Sequence, residues 1–216
     1  MNAIIECALG SGLYALVRRI PIGVGYWLLR CLPKEAVETG LLCLRHRSTN
    51  RAWFRETLQS GQDVLLVSIA SEHTLTDLEG YLRSGDVTLG RLRVLTFDPT
   101  TPDVVIDSVS RHLGEPLVRL KEQICRAHQR WRQIEQEHSF VKVLTYSSAP
   151  TLQAVFRGDE ACDVEFFTYS TPPSERASLF VQKGRNPVAF RLFKNACESL
   201  WNEAEKKTRG GPGVRP

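Results

Sequence analysis

The feature that most constrains the fold is a short run at residues 64–70, in which Ser68 is the single polar member. A run of this length that follows a glycine is typical of a β-strand buried on both faces. Such a strand needs other elements packed on each side, because neither of its faces meets water. The run therefore predicts an α/β layer architecture.

The segments around this run alternate between extended and helical patterns. Strands are predicted at 92–97, 140–146 and 178–182, and a hairpin at 152–156 and 164–169 around a turn at 157–160. Helices are predicted before Gly61, from a Thr76/Glu79 capping box to Gly85, at 104–113, at 117–134, and after Asn186 with Pro187 in the first position. We predict a mixed β-sheet sandwiched by helices, with the second strand parallel to the first.

The clearest periodic element is the helix at 117–134. Its apolar residues step by three and four along one stripe: Leu117, Leu120, Ile124, Ala127, Trp131 and Ile134. Arg126, Arg130 and Arg132 fall on the other face, where we expect them to be solvated. The repeat lasts less than three heptads, so it favours a helix that covers the sheet over a coiled coil.

Residues 1–48 differ in composition from the rest of the chain. Two apolar runs at 3–17 and 20–32 are separated by Arg18 and Arg19, and neither reaches the roughly 18–20 residues that span a bilayer. The first run has the spacing of an amphipathic helix. We therefore predict a hydrophobic helical segment at 1–48, an α/β domain at 49–205 and a flexible basic tail at 206–216.

The N-terminal segment allows two interpretations. Arginines beside Trp and Tyr are typical of a segment that lies at a membrane surface, which makes Arg18, Arg19, Tyr26, Trp27 and Arg30 candidate contact residues. A helical pair that packs on the main domain, on a protein partner or across a homodimer explains the same composition. The sequence leaves both open.

Composition and charge exclude several classes. The 28 basic and 24 acidic residues give a net charge of +4, far short of a dedicated nucleic-acid binder, and we expect no nucleic-acid partner. The six cysteines lack metal-site spacing, and no glycine-rich phosphate loop follows a strand. We expect no cofactor and no metal. The N-terminus lacks the charge pattern of a signal peptide, so we expect a cytoplasmic protein, or one peripheral at the inner face of the membrane.

Several segments carry a family resemblance. They are Arg51 to Arg55, 64–71, 92–102 with its Asp-Pro turn, 141–146, the hairpin around Gly158 and Asp159, and 178–187 with the helix that follows. Over residues 50–204 the chain resembles divergent bacterial members of the phospholipase D-like superfamily. The resemblance implies a phospholipase D-like α/β domain and a role in a regulatory or defence system.

The superfamily's reaction uses a His, a Lys two residues on and an Asp five residues further along. In this sequence Thr151 stands where the His would be, Gln153 where the Lys would be, and Gly158 where the Asp would be, with Asp159 one place off. Threonine without a base is a poor nucleophile, and glutamine brings no charge to a phosphoryl group. The resemblance therefore implies a non-catalytic binding or interaction module.

One further set of residues follows the predicted strands. Ser71 and His73 come after the first strand, Asp98 after the second and Ser147 after the third. Open α/β sheets bind ligands at the carboxyl ends of their strands, so these four are candidate ligand-binding residues, with a small anion as the expected ligand. In the alternative interpretation Asp98 caps its own turn and His73 is a solvated loop residue.

Three functions therefore stand at this point. The first is the non-catalytic binding module, the second a hydrolase with a non-standard site around His73 and Asp98, and the third a membrane-surface effector that acts through residues 3–32. The other histidines, His46, His112, His128 and His138, are expected at the surface.

Overall fold

The structure is a computed structural model that describes residues 44–45, 47–70, 72–148, 152–166, 178–185 and 187–209. These residues belong to one compact unit at 40–216. The candidate membrane or partner contacts Arg18, Arg19, Tyr26, Trp27 and Arg30 lie outside the described residues, as do Ser71, Thr151 and Asn186.

The described strands form one mixed sheet of seven strands. They are β1 (Leu44–Arg45), β2 (Val64–Ser68), β3 (Leu92–Phe97), β4 (Val141–Tyr146), β5 (Leu152–Arg157), β6 (Ala161–Phe166) and β7 (Ser178–Gln182), in the spatial order β1-β7-β6-β5-β2-β3-β4. The pairs β2–β3 and β3–β4 are parallel, and the remaining pairs are antiparallel. The predicted α/β class, the mixed sheet and the parallel pairing of the first two predicted strands are confirmed.

Five described helices surround this sheet. They are α1 (Arg47–Leu58), α2 (Glu72–Ser84), α3 (Asp103–Leu113), α4 (Leu117–Glu137) and α5 (Pro187–Arg209). Each is amphipathic, and the stripe predicted for α4 is buried from Leu120 to Ile134. In the described residues, no helix has the length and apolarity needed to cross a bilayer.

The sheet buries a different set of side chains on each face, because successive residues of a strand point to opposite sides. On one face, here called the α5 face, Leu65, Leu95 and Phe156 share a core with residues of α3 and α5. On the other, the α2 face, Val64 and Val94 share a core with residues of α1, α2 and α4. The sheet is thus sandwiched by helices, as predicted.

The structure corrects four boundaries. Helix α2 begins at Glu72 rather than at a Thr76 cap, and the Thr76 hydroxyl donates to the Glu72 carbonyl from within the helix, at 2.9 Å. An acidic residue in the first turn already complements the helix dipole, so the later capping box is not used. Strand β1 lies within the segment predicted as helical at 1–48, and α5 runs to Arg209, so the first part of the predicted tail at 206–216 is helical.

The fourth correction concerns the hairpin. Strand β6 begins at Ala161, three residues before the predicted start, because Gly158 adopts a left-handed φ of 49° and the chain reverses within a shorter turn. Cys162 and Asp163 therefore belong to the strand. Burial raises the pKa of both Cys162 and Cys197 to about 12, whereas Cys125 on α4 is exposed.

The backbone of edge strand β4 is protected by side chains of α4. Glu135 accepts a hydrogen bond from the Val143 amide at 2.8 Å, and Arg132 donates to the Val143 carbonyl at 3.2 Å. Arg132 and Glu135 also pair with each other at 2.7 Å. These two side chains occupy the positions that a neighbouring strand's backbone would take.

Candidate functional site

A row of polar side chains crosses the α2 face near the carboxyl ends of the parallel strands. The row, called the polar row below, consists of Ser178, Glu165, Gln153, Ser68, Thr96 and Thr145. Ser68 is in register with Thr96 and Thr96 with Thr145, while Gln153 is in register with Glu165 and Glu165 with Ser178. The antiparallel β2–β5 register, which pairs Val67 with Ala154, continues to place Ser68 beside Gln153.

The position of the polar row contrasts with the rest of the face. The next row toward the amino ends is apolar except for one residue: it holds Phe180, Asp163, Val155, Leu66, Val94 and Val143. Ligands of open α/β sheets lie outside the carboxyl ends of the strands. The polar row therefore coincides with the edge at which this architecture places ligands.

The centre of the polar row is deeply buried. Ser68 and Thr96 are both 0% exposed. The Thr96 hydroxyl donates to the Ile69 carbonyl at 3.1 Å, but the Ser68 hydroxyl has no hydrogen-bond partner among the described residues. A buried hydroxyl without a partner costs about 1–3 kcal/mol.

The two described positions of the family signature, Gln153 and Gly158, do not converge. Gln153 lies in the polar row, where its amide donates to the Glu165 carboxylate at 2.7 Å. Gly158 and Asp159 lie in the turn at the far end of β5, and Asp159 is ion-paired to Lys183 and Lys194 at 3.4 Å each. A strand rises about 3.3 Å per residue, so roughly 16 Å of strand separate Gln153 from Gly158.

Of the four candidate ligand residues, the structure brings two together. Asp98 follows β3, and its amide donates to the Tyr146 carbonyl at 2.8 Å, which places Asp98 beside Ser147 at the end of β4. One Asp98 oxygen accepts from the Thr100 amide at 2.8 Å and from the Thr100 hydroxyl at 2.7 Å. Asp98 therefore caps its own turn, as the alternative interpretation expected.

His73 does not lie in the loop predicted for it. It occupies the first turn of α2, where its side chain is exposed, and within the described residues it makes no hydrogen bond to Asp98 or Ser147. Among the described candidates, His73, Asp98 and Ser147, the structure therefore does not assemble a Ser/His/Asp arrangement.

His128 is a residue at this edge that the sequence interpretation placed at the surface. It is half-buried, and its Nδ1 atom is enclosed without a hydrogen-bond partner in the part of the chain that the structure describes. Burial and the nearby Arg132 lower the pKa of His128, against the charges of Asp98 and Glu135. The signal available in the sequence was its position beside Ala127, on the flank of the buried stripe of α4.

The side chains of α4 place His128 near the end of β4. Arg132, one helical turn further along α4, bonds to the Val143 carbonyl. Helix α4 leads back into β4 through a short connection, so the two run in opposite directions. From Arg132 back to His128 the helix covers one turn, about 5.4 Å, and from Val143 on to Thr145 the strand covers about 6.6 Å. His128 therefore lies level with Thr145.

Two ion pairs join α2 to α4 above this edge; they are called the α2–α4 clasp below. Arg130 pairs with Glu79 through two contacts at 2.9 and 3.0 Å and also donates to the Thr76 hydroxyl at 3.1 Å. Arg126 pairs with Glu72 at 3.1 Å. The hydrogen bond from Arg130 holds the pKa of Glu79 below its usual value.

The remaining basic residues of α4 are paired as well. Arg119 pairs with Glu115 at 3.6 Å, Lys121 with Asp103 at 2.7 Å and Arg132 with Glu135 at 2.7 Å. The arginines expected to be solvated are therefore ion-paired. Near the polar row, Glu72 is ion-paired to Arg126, Asp98 accepts hydrogen bonds from Thr100, and Glu165 accepts one from Gln153.

Comparisons with known proteins give structural likenesses alone. No protein-family model and no curated protein matches the chain. TrmBL2, an archaeal chromatin protein with a novel mode of DNA binding, matches at 12% identity and a TM-score of 0.42, over 94% of this chain and 65% of that one. Nuc from Salmonella typhimurium, a phospholipase D family member, matches at 11% identity and a TM-score of 0.36, over 70% of this chain and 86% of that one.

This chain therefore spans about 65% of the length of the TrmBL2 chain. Both of these likenesses have TM-scores below 0.5, so the phospholipase D-like family also stays a prediction from the sequence. The loss of the catalytic signature and the exclusion of nucleic acid stay predictions from the sequence.

Proposed function

We propose that residues 49–205 form a non-catalytic, phospholipase D-like binding module whose ligand lies at the carboxyl edge of β2, β3 and β4, over the polar row. The observation that carries this proposal is the polar row itself. It is continuous across six strands of a sheet whose next row is almost entirely apolar. Its role in a regulatory or defence system follows from the sequence resemblance.

Stability alone does not account for the centre of the row. Alanine or valine at position 68 would fill a strand site that is 0% exposed without leaving a buried hydroxyl unpaired. Proteins commonly keep such unfavourable groups where binding requires them. A ligand that hydrogen-bonds to Ser68 would satisfy a hydroxyl that has no partner among the described residues of the domain.

The chemistry of the edge favours an uncharged ligand with hydroxyl and amide groups, such as a nucleoside. Ser68, Thr96 and Thr145 supply hydroxyls, and Gln153 supplies an amide. The carboxylates of Asp98 and Glu165 repel an anion, and the nearby arginines of α4 are already paired. We therefore favour an uncharged polar ligand over the small anion expected from the sequence.

Substitutions at two fully buried hydroxyls test this assignment. Ser68→Ala removes the unpaired hydroxyl of the row, and Thr57→Val removes one that is equally buried and unpaired among the described residues but lies on α1. Both are expected to raise the free energy of unfolding by up to about 1 kcal/mol. Only Ser68→Ala is expected to weaken nucleoside binding, by roughly tenfold.

The measurements are thermal unfolding and calorimetric titration with adenosine, uridine and inorganic phosphate. Equal loss of nucleoside affinity in Ser68→Ala and Thr57→Val would contradict a site at the polar row. Tighter binding of phosphate than of the nucleosides would contradict an uncharged ligand and favour the small anion predicted from the sequence.

An assay of turnover tests the non-catalytic part of the proposal. The wild-type chain is expected to hydrolyse neither phosphodiesters, nor carboxylic esters, nor nucleotides, because Gln153 is paired with Glu165 and Asp98 caps its own turn. The same substrates are presented to His73→Ala and Asp98→Asn. An activity of the wild type that either substitution abolishes would overturn the binding-only proposal in favour of a hydrolase.

A further inference from the structure

We infer that α2 is a movable cover of the polar row and that the α2–α4 clasp controls its opening. The part that concerns ligand access rests on the proposed function. The part that concerns the movement of α2 stands on the contacts of the helix and is measured without any ligand.

The burial of the row requires a movement. Ser68 and Thr96 are both 0% exposed, so a ligand in solution cannot reach either hydroxyl while the helices stay in place. The first turn of α2 begins four residues after Ser68, and Leu75 packs in the same cluster as Leu66 and Val94, the row beneath. The N-terminal half of α2 is therefore part of what encloses these hydroxyls.

Helix α2 is the most lightly held of the helices on this face. Of its thirteen residues, all described, only Leu75 and Leu78 are buried. Helix α4 buries five side chains, including Trp131, and the seven residues of α1 with described side chains include four that are buried. Elements with few buried apolar contacts are the ones that open locally at low free energy.

The two ends of α2 are fastened by different contacts. At the C-terminal end, Arg55 of α1 lies 5.7 Å from the centre of the Tyr81 ring and pairs with Asp86 at 3.2 Å. In the N-terminal half, the clasp supplies polar contacts to α4, through which Arg126 and Arg130 hold Glu72, Thr76 and Glu79. Loss of the clasp would free the half of the helix that lies beside Ser68.

A bidentate arginine–carboxylate pair is well suited to this control. Arg130 and Glu79 meet through two parallel contacts and are mostly shielded from solvent, with side chains 31% and 23% exposed. Pairs of this kind have a defined geometry and a modest strength, so they favour the closed position of α2 without preventing it from opening. If the binding-competent state is the open one, easier opening raises the apparent affinity by the same factor.

The test uses thiol labelling at the centre of the row. Ser68→Cys places a near-isosteric thiol under α2, and its reaction with a maleimide, followed by peptide mass spectrometry, reports how often the row is exposed. Arg130→Gln is added to break the bidentate Arg130–Glu79 pair of the clasp, while the Arg126–Glu72 pair is kept. Arg119→Gln is the matched control, because Arg119 lies on the same helix but pairs with Glu115 of the chain just before α4.

We expect Arg130→Gln to accelerate labelling at position 68 by roughly two- to fivefold and Arg119→Gln to leave it unchanged. The native buried thiols of Cys162 and Cys197 are read in the same digest as reporters of wider unfolding. Unchanged labelling at position 68, or equal acceleration at Cys162 and Cys197, overturns the movable cover.

Titration of the Arg130→Gln variant with adenosine and uridine then separates the two proposals. A rise in nucleoside affinity by the same factor as the labelling rate supports control of ligand access. Faster labelling with unchanged affinity overturns that control and leaves a helix that opens without a role in binding. Faster labelling with no nucleoside binding in either form overturns the proposed ligand class but leaves the cover standing.

Discussion

Replacement of Trp131 by alanine is expected to lower the free energy of unfolding by about 3–5 kcal/mol. Trp131 is among the largest fully buried side chains of the described residues, and it shares a cluster with Leu75 of α2 and with Val94 and Val143 of the sheet. Its loss would leave a cavity where α4, α2 and the sheet meet. Denaturant unfolding followed by circular dichroism measures the change.

Phenylalanine at position 131 is the matched control. It keeps most of the ring volume and removes the indole N–H, which has no partner within the described part of the chain. Trp131→Phe is therefore expected to change the free energy of unfolding by about 1 kcal/mol or less. A loss below 1 kcal/mol for Trp131→Ala would show that α4 does not anchor this face.

The second large effect is expected for Glu198→Ala, which should lower the free energy of unfolding by about 2–3 kcal/mol. Glu198 of α5 accepts two hydrogen bonds from Arg93 of β3, each at 2.7 Å, and both side chains are largely shielded from solvent. Without Glu198, the Arg93 guanidinium stays confined over the Trp201 ring, 5.4 Å from its centre, and loses both of its hydrogen bonds to a carboxylate. This expected loss is smaller than the usual loss for a fully buried pair, because both side chains are still partly exposed to solvent.

The Arg93–Glu198 pair also gives a pH dependence with a definite sign. The hydrogen bond from Arg93 lowers the pKa of Glu198 in the folded protein, against the effect of burial. Because folding lowers the pKa of Glu198, the ionised carboxylate stabilises the folded protein at pH values above the ordinary glutamate pKa. This stabilisation is lost as the pH falls through the lowered pKa. The difference in unfolding free energy between wild type and Glu198→Ala is therefore expected to be large at pH 7 and to shrink toward pH 3.

A double substitution separates the pair from its individual charges. Arg93→Met with Glu198→Leu replaces both partners by apolar groups of similar volume and is expected to recover most of the loss seen in Glu198→Ala. Urea unfolding of the wild type, Arg93→Met, Glu198→Leu and the double variant gives the coupling free energy between the two side chains. A double variant as unstable as Glu198→Ala would contradict the uncompensated charge as the cause.

Much of the fold was predictable because its central strands are continuous apolar runs. Strands β2, β3 and β4 were found at or within one or two residues of their ends, and the helix between β2 and β3 predicted their parallel pairing. The stripe of α4 was equally clear, since a helix that packs along one side repeats every three to four residues.

The errors arose where local signals competed with tertiary contacts. The second strand of the hairpin was predicted to begin at residue 164, whereas pairing with β5 and β7 draws Cys162 and Asp163 into β6. His128 was interpreted as a surface residue because it flanks the buried stripe, and only the approach of α4 to the end of β4 encloses its ring.

The polar row was not accessible to sequence reasoning for a different reason. Ser68 lies in an otherwise apolar run, Thr96 and Thr145 are ordinary strand residues, and Gln153 drew attention only as the replacement for a catalytic lysine. What aligns them is the register between strands whose residues lie up to 85 positions apart in the chain. Register between distant strands depends on the whole sheet and has no local signature.

The side chains that cover the Val143 backbone have a consequence for assembly. With its amide and carbonyl bonded to Glu135 and Arg132, edge strand β4 offers a second chain no free backbone pair at Val143. Growth of the sheet from one molecule into the next is therefore blocked at the middle of this edge. A homodimer of this protein is therefore not expected to share a sheet through the middle of β4.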